Sequence, residues 1–116
     1  MLQILLRAQG GYYVVTGLWP VIHFASFEGV TGAKVDDWLV RMVGLLAASI
    51  GATLLCAARR KAASPEAVLL SVSSALAFAV IDVWYSARGR ISPVYFLDGV
   101  IEIALVALVL VAARRA

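Results

Sequence analysis

The chain has 116 residues, 63% hydrophobic and only 15% charged, with a net charge of +3 and a mean hydropathy of +0.95. A soluble domain of this size is about half apolar and about a quarter charged, so the excess excludes a water-soluble globule and makes lipid the solvent for much of the surface. The lone Cys56 excludes an internal disulfide and any cysteine-based metal cluster. The basic excess is no nucleic-acid signal, because six of the ten basic residues (Arg7, Arg59, Arg60, Lys61, Arg114 and Arg115) stand at the ends of apolar segments.

The opening stretch MLQILLRAQGG lacks the order of basic region, apolar core and small-residue cleavage site that a signal peptide needs. It is expected to be retained as a short interfacial helix. A span needs about 20 mostly apolar residues to cross a hydrocarbon core about 30 Å thick. Four segments qualify, at about 10–27, 38–58, 66–87 and 93–113. The expected fold is all-α: one transmembrane domain over residues 1–116, an up-down-up-down four-helix bundle with short loops.

In the first span Thr16, Trp19 and His23 share a face beside Pro20, which should kink the helix and free a carbonyl. Glu28, Lys34, Asp36 and Asp37 then crowd a polar connection, where the two aspartates suit the positive N-terminal end of the second span. Along that span Gly44, Ala48 and Gly51 follow Arg41 at helical spacing. Ser64 and Pro65 mark N-cap and first turn of the third span, whose stripe of Ser71, Ala75 and Ala79 leads to Asp82. Small residues at such spacing let membrane helices approach closely, so Arg41 and Asp82 are expected on packed faces. Ser92 and Pro93 repeat the start signal before the fourth span, where Asp98 and Glu102 lie four residues apart on one face. The richer basic side should be cytoplasmic, which predicts a multi-pass protein of the bacterial inner membrane with both termini in the cytoplasm.

Five ionisable side chains fall within these spans: His23, Arg41, Asp82, Asp98 and Glu102. All five belong to the same half of the bundle, and Glu102 lies deepest, about 13 Å from the outer end. A charge at the bilayer centre costs about 2.5–3.5 kcal/mol or more, so unpaired acids there must hold protons, pair with His23 or Arg41, or be balanced by a bound cation. Glu102 is the strongest candidate for a functional acid. The plainer readings are a structural staple for Arg41, a hydrogen-bonded interfacial imidazole for His23, helix caps for Asp36 and Asp37, interfacial anchors for Arg88 and Arg90, and an aromatic belt of Tyr12, Tyr13, Trp38 and Trp84. No GxSxG, HExxH, CxxC or phosphate-binding loop occurs. A zinc site would have to combine His23 with carboxylates. The sequence calls for no cofactor and no metal.

The stretches TGLWPVIHFASFEGVTGAKVDDWLVR and RISPVYFLDGVIEI resemble an uncharacterised family of small four-helix bacterial membrane proteins, a resemblance that implies an architecture and no activity. A more distant architectural likeness is to the four-helix bundles of sterol isomerases and the sigma-2 receptor. That likeness implies that Asp82, Asp98 and Glu102 bind a cationic amphiphile or stabilise a carbocation, with His23 or Glu102 passing a proton. The small multidrug transporters share the size and an intramembrane glutamate, but carry it in the first span.

The reading is a membrane protein with an outward-opening polar pocket for a small or amphipathic, cationic ligand. Arg41 would organise the pocket, with Asp82, Asp98 and Glu102 as the negative field, His23 as titratable partner and Trp19, Trp84 and Tyr95 as walls. One alternative is a membrane enzyme moving a proton on a lipid through Glu102 or His23. Another is a structural or accessory subunit, whose small-residue faces would build a homo-oligomer.

Overall fold

The computed structural model describes residues 1–32, 34 and 36–115. Those residues form five helices and no strand: α1 (Leu2–Ile22), α2 (Phe24–Thr31), α3 (Asp37–Ala57), α4 (Pro65–Ala87) and α5 (Val94–Arg115). Three of them, α3, α4 and α5, are long and apolar enough to cross a membrane. In their most apolar windows only 22%, 33% and 28% of the residues are buried, so most of the apolar surface faces outward. That is the arrangement expected where lipid replaces water. The long axis of 42 Å exceeds the hydrocarbon thickness of about 30 Å.

The expected first span differs from the helix that forms. Helix α1 starts at Leu2, runs through the Gly10–Gly11 pair, and ends at Ile22. Its length of 21 residues matches a span, but Gln3, Arg7 and Gln9 make it less apolar than α3 to α5. No separate interfacial helix precedes it. Pro20 lies inside its last turn, and three residues later the chain breaks at His23 (φ −144°, ψ 83°) and restarts as α2. The polar connection thus holds a short helix of its own.

Two antiparallel pairs build the molecule. In the first, α1 meets α3 at two glycine pairs, Gly10 against Gly51 and Gly17 against Gly44, seven residues apart on each helix. A Cβ on Gly10 would sit 2.7 Å from the Gly51 carbonyl oxygen, and one on Gly51 would sit 2.5 Å from that of Gly10. Only glycine allows backbones this close, and in lipid such close packing is a main source of helix association. In the second pair, α4 meets α5 where Gly99 packs on Asp82 and Val83. Ser64 caps α4 by accepting from the Ala67 amide at 3.2 Å, with Pro65 in the first turn. At its other end Gly89 takes φ +72° and donates to Ser86, while the Arg90 amide donates to Tyr85 at 2.9 Å. This double closure ends the helix with a left-handed glycine.

The two pairs join tightly at the end that carries both termini. There Leu2, Leu6, Leu54, Ala58, Val109 and Ala112 form a buried apolar cluster. Gln3 Nε2 also donates to the Lys61 carbonyl at 2.7 Å, tying α1 to the α3–α4 connection. Toward the other end the pairs part and leave a cavity of about 970 Å³.

Candidate functional site

Polar side chains from α1, α4 and α5 meet at the inner end of this cavity. On α5 the four-residue spacing points Asp98 and Glu102 the same way. On α4 the small stripe of Ser71, Ala75 and Ala79 is buried and brings Asp82 with it. One carboxylate oxygen from each of Asp82, Asp98 and Glu102 lies within 4.8 Å of the other two. Glu102 is 1% exposed and Asp82 5%, while Asp98 is half-buried and faces the cavity.

Helix α1 supplies the donors. The Tyr12 hydroxyl donates to Asp98 Oδ1, and the Tyr13 hydroxyl donates to Glu102 Oε1 at 2.6 Å. Behind Tyr13 stands a directed chain: the Ser71 hydroxyl donates to Gln9 Oε1, and Gln9 Nε2 donates to the Tyr13 hydroxyl oxygen at 3.1 Å. Gln9 Nε2 also reaches the Ser71 carbonyl at 3.0 Å. Each link is buried, where a satisfied hydrogen bond fixes geometry and an unsatisfied one is costly. The edge of the Tyr13 ring meets Phe78 with centroids 5.3 Å apart, which leaves the phenol little freedom. Two of the three acids are therefore held by phenols, but Asp82 Oδ2 is buried with no hydrogen-bond partner.

Beyond the acids the cavity is mostly apolar and aromatic, with Phe78 and Ile101 among its walls and Trp19, Phe27 and Tyr95 nearer its mouth. Trp19 and Phe27 pack edge to face at 5.3 Å. Lys34 also stands at the mouth. Its ammonium donates to the carbonyls of Thr31 at 2.9 Å and Gly32 at 2.8 Å, and lies over the Tyr95 ring at 5.1 Å. The Lys34 charge thus caps the end of α2, and Glu28 Oε2 completes the turn by accepting from the Lys34 amide at 3.0 Å.

Asp82, Asp98, Glu102, Trp19 and Tyr95 all line this cavity, whereas Arg41, His23 and Trp84 do not. Arg41 is exposed and pairs with Asp37 at 3.4 Å, one helical turn earlier, with its guanidinium 4.8 Å from the Phe24 ring. This is the single salt bridge among the described residues, so the trio of acids has no cationic partner among them. The expected bond from Arg41 to Asp82 or Asp98 is replaced by a local contact on the outside of α3. His23 is exposed at the α1–α2 junction, where Nδ1 accepts from the Ser26 amide at 3.2 Å. Trp19 Nε1 donates to the Ser26 hydroxyl at 2.8 Å, so His23 serves this corner and lies away from the acids. Trp84 is 57% exposed and carries the Arg88 guanidinium over its ring at 5.3 Å.

Exposed pairs of the Arg41–Asp37 kind contribute about 0–1 kcal/mol. Arg41→Ala should therefore change thermal stability in detergent by about 1 kcal/mol or less, whereas a staple of the trio would show a much larger loss.

Tyr12, Tyr13, Gln9 and Ser71, which the sequence did not single out as site residues, form the hydrogen bonds that hold Asp98 and Glu102. Compared with known proteins, the chain matches no family model, and no curated protein or solved structure is significantly similar to it.

Proposed function

We propose that this is a four-helix membrane protein whose intramembrane cavity binds an amphipathic cation. The observation that carries the reading is the unpartnered, buried Asp82 Oδ2, set among three acids with no cationic partner among the described residues. Three carboxylates so placed cannot all be ionised in a low-dielectric setting without a counter-charge. A ligand's cationic head would supply that charge and the missing donor, and its apolar part would fill the walls around Phe78 and Ile101.

The fourth crossing is α1. It runs beside α3 between the two glycine pairs and turns its polar Gln9 and Tyr13 inward, so its lower hydropathy is spent on the site and not on the lipid face. With the basic ends of α3 and α5 on the termini side, the cavity opens away from the cytoplasm of a bacterial inner membrane. Lys34 and Arg90 at that mouth disfavour entry of a small free cation from water, and suit an amphiphile already dissolved in the bilayer.

The test is thermal unfolding in a neutral detergent with cationic, neutral and anionic amphiphiles of one chain length. The cationic compound should raise the midpoint by several degrees in the wild type and not in Glu102→Gln. Equal shifts from all three head charges would mean that the acids play no part, and the reading would fall.

A further inference from the structure

The arrangement of the three acids also bears on which cationic head fits, an inference that rests on the amphipathic-cation reading above. A primary ammonium presents three N–H donors in a tetrahedral fan. With charge-assisted N···O distances of about 2.8 Å, acceptors at the tips of that fan stand about 4.6 Å apart. Oxygens from Asp82, Asp98 and Glu102 all lie within 4.8 Å of one another, close enough for a single ammonium nitrogen to reach all three. They come from two helices, one from α4 and two from successive turns of α5.

Each acid's other contacts agree with this. Tyr12 and Tyr13 donate to single oxygens, Oδ1 of Asp98 and Oε1 of Glu102. Those two bonds hold the acids in place, and a carboxylate that accepts one bond keeps further acceptor capacity. Asp82 has no such tether at Oδ2, although the residue is 5% exposed and lines the cavity. A buried acceptor with nothing to accept from marks a missing donor.

Other cations suit the trio less well. A quaternary ammonium has no N–H to give, and its methyl shell keeps its charge outside oxygens this close together. Recognition of such heads relies on a cage of aromatic faces, whereas Tyr12 and Tyr13 turn their hydroxyls to the acids. A hard divalent ion takes six to eight oxygens, and the walls beyond the trio, such as Phe78 and Ile101, offer none from their side chains.

We propose that the ligand is a primary-amine amphiphile, its ammonium held by one oxygen each from Asp82, Asp98 and Glu102 and its chain lying in the cavity toward Phe27 and Tyr95. One ionised carboxylate balances the ammonium, and the other two acids accept through their carbonyl oxygens while keeping a proton.

The experiment compares three probes with the same tail: dodecylamine, N,N-dimethyldodecylamine and dodecyltrimethylammonium. Each is titrated at neutral pH and equal micellar mole fraction into the full chain in dodecyl maltoside, with dissociation constants taken from thermal shifts and calorimetry. Dodecylamine should bind about tenfold or more tightly than the trimethyl compound, the difference that charge-assisted hydrogen bonds contribute. The dimethyl compound, with one N–H, should fall between. In Asp82→Asn the preference should collapse, and the wild-type series decides the matter even if that variant folds poorly. If the trimethyl compound binds as tightly as dodecylamine, the head-group assignment fails while the cationic pocket stands. If no probe binds, the pocket itself is wrong. If manganese chloride alone binds more tightly than any amine and excludes it, the trio is a metal site and the proposal is overturned.

Discussion

Gly44→Val is expected to lower stability by about 3 kcal/mol or more, enough to prevent recovery of a monodisperse protein at ordinary temperatures. A Cβ at position 44 would collide with the carbonyl oxygen of Gly17 and lie 3.1 Å from Pro20 Cγ and 3.3 Å from the Gly17 carbonyl carbon. Backbone atoms cannot rotate out of the way as a flexible side chain can, so the helices must separate, and the valine methyls widen the gap. Separation would forfeit dispersion contacts along both glycine pairs, and in lipid no hydrophobic gain between helices exists to offset the loss. It would also disturb the bonds of Tyr12 and Tyr13 to Asp98 and Glu102, because α1 carries both phenols along with Gly10 and Gly17 of this seam.

Gly11→Ala is the matched control. It sits one residue from Gly10 on the same helix, but nothing stands within 4 Å of its added Cβ. Removing a mid-helix glycine there should raise stability by about 0.5–1 kcal/mol. The pair is read by thermal unfolding in detergent. A Gly44→Val protein that unfolds with the wild type would show that the α1–α3 seam does not hold the bundle together.

Patterns with a short reach were legible in the sequence. Hydropathy marked the three long apolar helices, the Ser64–Pro65 start of α4 followed from capping chemistry, and the four-residue step placed Asp98 beside Glu102. The stripe from Ser71 to Asp82 correctly put a carboxylate on a packed face. Arg41 shows where the same logic stops: it shares a row with Gly44, but its long side chain reaches back one turn to Asp37 and over Phe24. The Asp37–Arg41 step was itself a readable local pair. Hydropathy alone places Tyr12 and Tyr13 at the interface, because it starts the first span near Gly10. Starting at Leu2 instead sets them about 12 Å deeper along the helix. The glycines that looked like a boundary are contact points for α3, a distinction that only the partner helix reveals. Gln9 and Tyr13, four residues apart, were the available signal for a buried polar face on α1.

Asp82→Asn is expected to make the ligand-free protein more stable while weakening binding of the amine. In the wild type, Asp82 Oδ2 is buried without a partner, beside two further acids, Asp98 and Glu102. Such an arrangement costs free energy when empty. Asparagine keeps the shape, removes one acid, and brings an amide that can donate to Asp98 or Glu102. Supplying a donor where a buried polar group had no partner should gain about 1–3 kcal/mol, seen as a higher unfolding midpoint without ligand. Adding dodecylamine should then stabilise the wild type more than the variant, so that the two melting curves approach each other as ligand rises. A residue whose task is to hold the helices together would behave in the opposite way, with the variant less stable at every ligand concentration. Opposed effects on stability and binding are the mark of a group kept for its ligand, because a protein retains an unpaired buried acid at a cost only where something else completes it.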